Sequence, residues 1–214
     1  MDIPRSVSAL DAVRRVGGFL PVADVVDLMP EVLVLDPSSV LIGADVELER
    51  GVVLYPGTVL ETRAGGSISV GAGSRLGPGA VVIVATAARV TIGSGVELGP
   101  GTVTITATGV DVGVGDGARL SGGCVVEGPA VLGAGSQVLG AVSVRDAVLG
   151  AGGDHGEPDP DRRAGVVKGV GRVHGARVGV GEVVVGGAVV GRGTPTTSLV
   201  VERQRAHHPD APSN

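Results

Sequence analysis

The sequence predicts a left-handed parallel β-helix over residues 34–195, a prism-shaped solenoid of hexapeptide repeats, all-β apart from a short N-terminal helical cap. Three observations predict it. The first is self-similarity: VGAGSRLGPGAVV begins at Val70, IGSGVELGPGTVT at Ile92 and VGDGARLSGGCVV at Val114, each 22 residues after the last. The second is the six-residue unit: an aliphatic, a small residue that is usually Gly, two variable residues, a small or β-branched residue and one more. Period six is neither helical nor a simple alternating strand, and it fits a short extended segment followed by a tight corner. The third is composition. The chain has 39 Gly, one Tyr, one Phe and no Trp, yet is 43% hydrophobic, so its core is built from small aliphatics rather than aromatics.

Three hexads make one triangular turn of 18 residues, and a spacing of 22 adds a four-residue corner loop. Successive turns stack at the inter-strand distance of about 4.8 Å. The same phrases continue on either side, as IGADVE from Ile42, LERGVV from Leu48 and LYPGTV from Leu54, then LGAGSQ from Leu132, VGVGEV from Val178, VVGGAV from Val184 and VGRGTP from Val190. Each turn buries its aliphatic ladder only against its neighbours.

Residues 1–33 lack the hexad and form the helical cap. Ser8 to Val16 reads as a helix with Ser8 as N-cap, and a second short helix is expected from Val22 to Leu28, before Pro30. One long interruption, GGDHGEPDPDRRAG at 152–165, has the Pro, Gly and charge content of a protruding loop. An excursion of that length in a structure of tight corners is most often functional. Residues 196–214 read as a strand-like piece, SLVVERQ, and a polar tail.

Composition narrows the partners. No run approaches the roughly 20 apolar residues of a membrane span, the opening residues are polar, and Cys124 is the single cysteine, so a cytoplasmic protein without an intrachain disulfide is expected. The net charge of −5 is uneven: residues 162–205 carry eight basic and two acidic groups, +6, which leaves −11 for the remainder. An acidic chain without aromatic stacking platforms is not expected to bind nucleic acid. Its basic stretch is either a solvated face or an anion site.

The segment Leu35–Glu61, LDPSSVLIGADVELERGVVLYPGTVLE, resembles the start of the C-terminal β-helix of bifunctional N-acetylglucosamine-1-phosphate uridyltransferase/glucosamine-1-phosphate acetyltransferase. The resemblance covers most of residues 34–190. It implies a homotrimer with sites in the clefts between subunits, an acyl-CoA co-substrate and a small-molecule, nucleotide-sugar-related acceptor. The family's uridyltransferase half has no counterpart here, so uridyl transfer is not expected. The family's catalytic His falls on Gly140 and its Tyr on Ser143, while Asp146-Ala147 and Leu149-Gly150 are kept. The family's next loop is replaced by His155 to Arg163.

Acyl transfer needs a general base, and His is suited because it titrates near neutrality. Of four His, the candidate base is His155 on the protruding loop, with Asp154 or Glu157 to orient its ring. His174 reads as a surface residue, and His207 and His208 as solvated tail residues. Asp159, Asp161, Arg162 and Arg163 are candidates for an anionic or sugar substrate. Lys168, Arg172, Arg177 and Arg192 are candidates for CoA phosphates. No closely spaced His pair suggests zinc, so no metal is expected, and Cys124 reads as a packed thiol. Three readings stand: an acyltransferase of the hexapeptide class, a trimeric scaffold or binding protein that lost the chemistry, and a different reaction such as isomerisation or cyclisation.

Overall fold

The computed structural model describes residues 5–186 and 200–212, and within them the hexads fold as a left-handed parallel β-helix. The first aliphatic of each hexad points inward and the next residue turns the corner, so consecutive hexads fall on three different faces. On face one, eight strands stack in parallel, from Leu33–Val34 through Val53–Leu54, Arg75–Leu76, Glu97–Leu98, Arg119–Ser121, Gln137–Leu139 and Val166–Gly169 to Glu182–Gly186. Their inward ladder is Val34, Leu54, Leu76, Leu98, Leu120, Val138, Val167 and Val184, all buried.

Face two carries the ladder Ile42, Leu60, Ile83, Ile105, Val126, Val144 and Val173. Face three carries Leu48, Val70, Ile92, Val114, Leu132, Leu149 and Val178. The long strands Cys124–Leu132 and Val142–Leu149 bend round the edge between faces two and three and join them into one sheet. Burying each aliphatic contributes about 1.5–3 kcal/mol, and no inward position holds an aromatic. The surplus of the 22-residue turns is not always one four-residue loop. From Leu54 to Leu60 is six residues, but Leu76 to Ile83 and Leu98 to Ile105 are seven, so there one surplus residue sits at the edge between faces one and two.

That edge is lined by glycines at positive φ: Gly79, Gly101, Gly122, Gly140 and Gly169. A Cβ at Gly140 would overlap the carbonyl oxygen of Gly169, and one at Gly169 would overlap that of Gly186. Backbone from adjacent turns meets there with no room for a side chain.

One face at each end of the solenoid meets an antiparallel partner. At the start, α1 (Arg5–Val16) and α2 (Val22–Val26) precede the first turn, and Phe19 bridges Gly43 in antiparallel fashion. Buried Arg14 fastens α1 by donating to the carbonyls of Ser38 at 2.6 Å and Pro37 at 3.3 Å. α1 begins three residues before the expected Ser8. α2 stops two residues short of Leu28, since Pro30 disfavours helical backbone just before it. At the other end, Val201–Arg203 pairs antiparallel with Glu182–Gly186 and leads into α3 (Gln204–His207). The hexad from Val190 and the second half of that from Val184 lie outside the described residues, as does Arg192. Among the described residues no helix is long and apolar enough to cross a membrane.

Candidate functional site

Side chains that alternate with the inward ladder point out of the prism, and on face one they show where a site has been built. The outward column runs Val53, Arg75, Glu97, Arg119, Gln137, Val166 and Val183. Arg75 is exposed, and Glu97 and Arg119 are half-buried as a solvent-facing pair 3.5 Å apart. Gln137, Val166 and Val183 are only 9%, 5% and 1% exposed although they face outward. Something covers the last three turns of this face.

Two segments form the cover. The loop at 152–165 is pinched at its neck, where Gly153 donates to Arg162 and Ala164 donates to Gly153, at 2.8 and 2.9 Å. Its interior is held by its own carboxylates: Asp154 accepts from the amide of Gly156, Glu157 from that of Asp159, and Asp159 from that of Asp161. The second segment is the C-terminal one. Buried Gln204 donates to the carbonyls of Ala164 at 2.7 Å and Glu182 at 3.0 Å. Arg205 is clasped by Asp161 and Asp159 at 2.5 Å each. The hydrogen bond it donates to Asp161, with the charges of both carboxylates, raises the guanidinium's pKa further. Asp159 is itself buried, so this pair is shielded more than a surface ion pair.

Beneath the cover lies a pocket of about 260 Å³. Its floor is Gln137, Leu139, Val166, Lys168 and Val183 of face one. Its walls are His155 and Arg163 of the loop, and Gln204, His207 and His208 of the C-terminal segment. None of these lining residues is acidic. Arg163 donates through Nε to the carbonyl of Glu157 at 2.6 Å, and among the described residues neither it nor Lys168 has a carboxylate in ion-pair range. His207 pairs with Glu202 at 2.7 Å. The pKa of His208 is lowered, first by loss of solvent and then by the positive charges of Arg163, Lys168 and His207.

The structure brings His155, Arg163 and Lys168 together, three residues that the sequence assigns to three separate tasks. It also corrects several expectations. His207 and His208 are exposed, as the sequence reading has it, and in addition they line this pocket, because α3 folds back over face one. Asp154 and Glu157 each accept from a loop amide, and among the described residues neither hydrogen-bonds His155. Asp159 and Asp161 are engaged by Arg205, and Arg162 lies 3.9 Å from Asp159. The three CoA candidates among the described residues do not converge; Arg192 lies outside them. Lys168 is on face one, Arg172 on face two, and Arg177 on face three, where it pairs with Asp146 at 3.2 Å. Residues a few positions apart in a triangular solenoid occupy different faces. His174 lies outward on face two in a separate pocket of about 440 Å³ with Glu127, Ser143, Arg145 and Arg172.

Gly140, the position that the resemblance assigns to the catalytic His, belongs to the crowded glycine edge and has φ +97°. No histidine fits there. Cys124 heads a strand of the inner wall, fully buried, and burial pushes its thiol up to about 11. Among the described residues no group of three or more His, Cys, Asp or Glu is placed to hold a metal ion.

Comparison with known proteins leaves the function open. No family model matches the sequence, and no curated protein matches it. Among solved structures, the UDP-N-acetylglucosamine O-acyltransferase of Moraxella catarrhalis RH4 aligns with 12% identity over 73% of this chain and 70% of that one, at a TM-score of 0.29. That likeness supplies no residue correspondence, and the chain is described by its own architecture, a hexapeptide-repeat parallel β-helix with a covered pocket near its C-terminal end.

Proposed function

We propose that the covered pocket is the acceptor side of an acyl-transfer site, with acyl-CoA as donor and a small amine or alcohol as acceptor. One observation carries the reading: His208 is held toward its neutral form in a pocket, beside His155 and two fixed cations. A neutral imidazole can take the proton of an attacking amine or hydroxyl. The acceptor's N or O then bonds to the thioester carbonyl carbon, the C–S bond breaks, and the proton passes from imidazole to the departing thiolate. The Gln137 carboxamide on the floor, with no side-chain partner among the described residues, is the proposed donor to the oxyanion. A pocket of 260 Å³ has room for about nine waters at ~30 Å³ each. It therefore admits the acceptor and the acyl end of the donor, not a whole CoA. The homotrimer implied by the resemblance belongs to this proposal.

A second reading, a binding protein without turnover, is favoured by Gly140, since the position that the resemblance gives to the catalytic His is closed to any side chain. Calorimetry and thermal shift with acetyl-CoA and CoA separate the two. A ligand that binds only the folded state raises its stability by a predictable amount. Absence of any effect at millimolar CoA sinks the transferase reading. If CoA binds, loss of turnover in His208→Ala with CoA binding kept supports His208 as base, and an unchanged rate removes it.

A further inference from the structure

Among the described residues the C-terminal segment is attached by one short strand and a few side chains, yet it carries charge into the pocket. Val201–Arg203 is exposed throughout and holds face one through a short antiparallel ladder. Among the described residues the other ties are the Gln204 amide donating to the Gly181 carbonyl at 2.8 Å, the two side-chain hydrogen bonds of Gln204 and the clasp of Arg205 by Asp159 and Asp161. A segment with so few buried contacts opens at lower cost than the body of the solenoid.

Docking has an electrostatic consequence. It sets His207 and His208 against Arg163 and Lys168, with His155 across the same space. The carboxylates nearby are turned elsewhere: Glu202 to His207, Asp159 and Asp161 to Arg205, Glu157 to its loop amide, and Glu182 to the amide of Gly179. The pocket wall itself supplies no counter-charge. With the segment docked, two fixed cations, Arg163 and Lys168, and three imidazoles line one small space.

We infer that residues 200–208 are a strap whose closure is coupled to a small dianion in this pocket, held by the Arg163 and Lys168 side chains and enclosed by His207 and His208. The inference rests on the proposed function only in placing the ligand at the acceptor site; the binding itself requires no turnover. A dianion offsets the two fixed cations, and the imidazole N–H groups of the wall are further donors to it. The apolar floor of Leu139, Val166 and Val183 fits a small organic body behind the charged group. The coupling runs both ways: a closed strap raises anion affinity, and an anion holds the strap closed.

The test is hydrogen exchange of the strap amides in the full-length chain. Inorganic phosphate and malonate are the two probes, one for phosphoryl and one for carboxylate chemistry, with chloride at matched ionic strength as control. At tenfold excess over its Kd, a ligand that binds only the closed form slows exchange about elevenfold. The expected result, at pH 8 where both probes are dianions, is that slowing with at least one of them and not with chloride. Which dianion acts tells phosphate monoester from dicarboxylate. Lys168→Met keeps the aliphatic stem between its stacked neighbours Leu139 and Val185 and removes the charge. It should abolish the dianion effect while the β-helix melts normally. Unchanged strap exchange with both dianions overturns the inference, and so does slowing that survives Lys168→Met. Failure of the CoA experiment with the dianion effect intact would instead dismiss acyl transfer and leave the strap standing.

Discussion

Alanine at Gly140 tests the packing of the glycine edge and, with it, the reason no catalytic histidine stands there. Two costs add. Left-handed backbone costs an L-residue about 1–2 kcal/mol, and φ at Gly140 is +97°. The new Cβ also overlaps the Gly169 carbonyl, which is backbone and cannot rotate aside; overpacking of this kind costs about 1–3 kcal/mol. The sum is about 2–5 kcal/mol. For a chain of this size each kcal/mol moves Tm by about 2–4 °C, so a fall of roughly 10 °C is expected. Gly113 supplies the control. It lies in a strand of face three, without positive φ, and a Cβ there meets nothing within 4 Å. Gly113→Ala should be neutral or stabilising by up to about 1 kcal/mol through the unfolded chain. Both variants are followed by circular dichroism on heating. Equal melting temperatures for the two variants would refute the close-approach account.

Further outcomes are expected elsewhere in the molecule. Leu98 is fully buried in the face-one ladder, so Leu98→Ala should cost about 2–5 kcal/mol, read as a lower urea midpoint at constant slope. Leu98→Asp should cost more, because the ladder offers a carboxylate no partner. Cys124 should resist thiol reagents until the protein unfolds. Its raised pKa means that the neutral thiol's contribution to stability is intact below pH 9 and is lost between pH 9 and about 11. A serine at 124 should remove that part of the alkaline decline; an identical decline would assign it to other groups. If His208 is the base, the rate should rise with pH through a midpoint below 6.5, since its pKa is lowered, and a midpoint above 7 would point to another group.

The fold was legible because the repeat is a statement about packing. An aliphatic every six residues, with glycine beside it, dictates an inward ladder and a close corner, and Ile42, Leu48 and Leu54 lie on three faces as that requires. The site was legible only in part. His155, Arg163 and Lys168 stand in the sequence at the loop or just after it, and the loop's composition marked the place. What could not be read was the return of the tail, because long-range docking leaves no period. One trace did exist: the outward column changes from Arg75, Glu97 and Arg119 to Gln137, Val166 and Val183. Apolar residues at solvent-facing positions imply a cover. The grouping of Lys168, Arg172 and Arg177 failed for the opposite reason, since charge counted along the chain ignores the turn of the prism.

The antiparallel pairing at the end of face one has a consequence for assembly. A stack of parallel strands ends in unsatisfied backbone groups that another parallel strand can continue, which makes an open solenoid end a template for fibre growth. Val201–Arg203 reverses the chain direction on the last described strand of that face. At the opposite end, Phe19 meets Gly43 in the same reversed sense. The direction of the backbone there acts as a stop signal. A further copy that offered its own first turn would find its donors and acceptors out of phase with the edge presented to it.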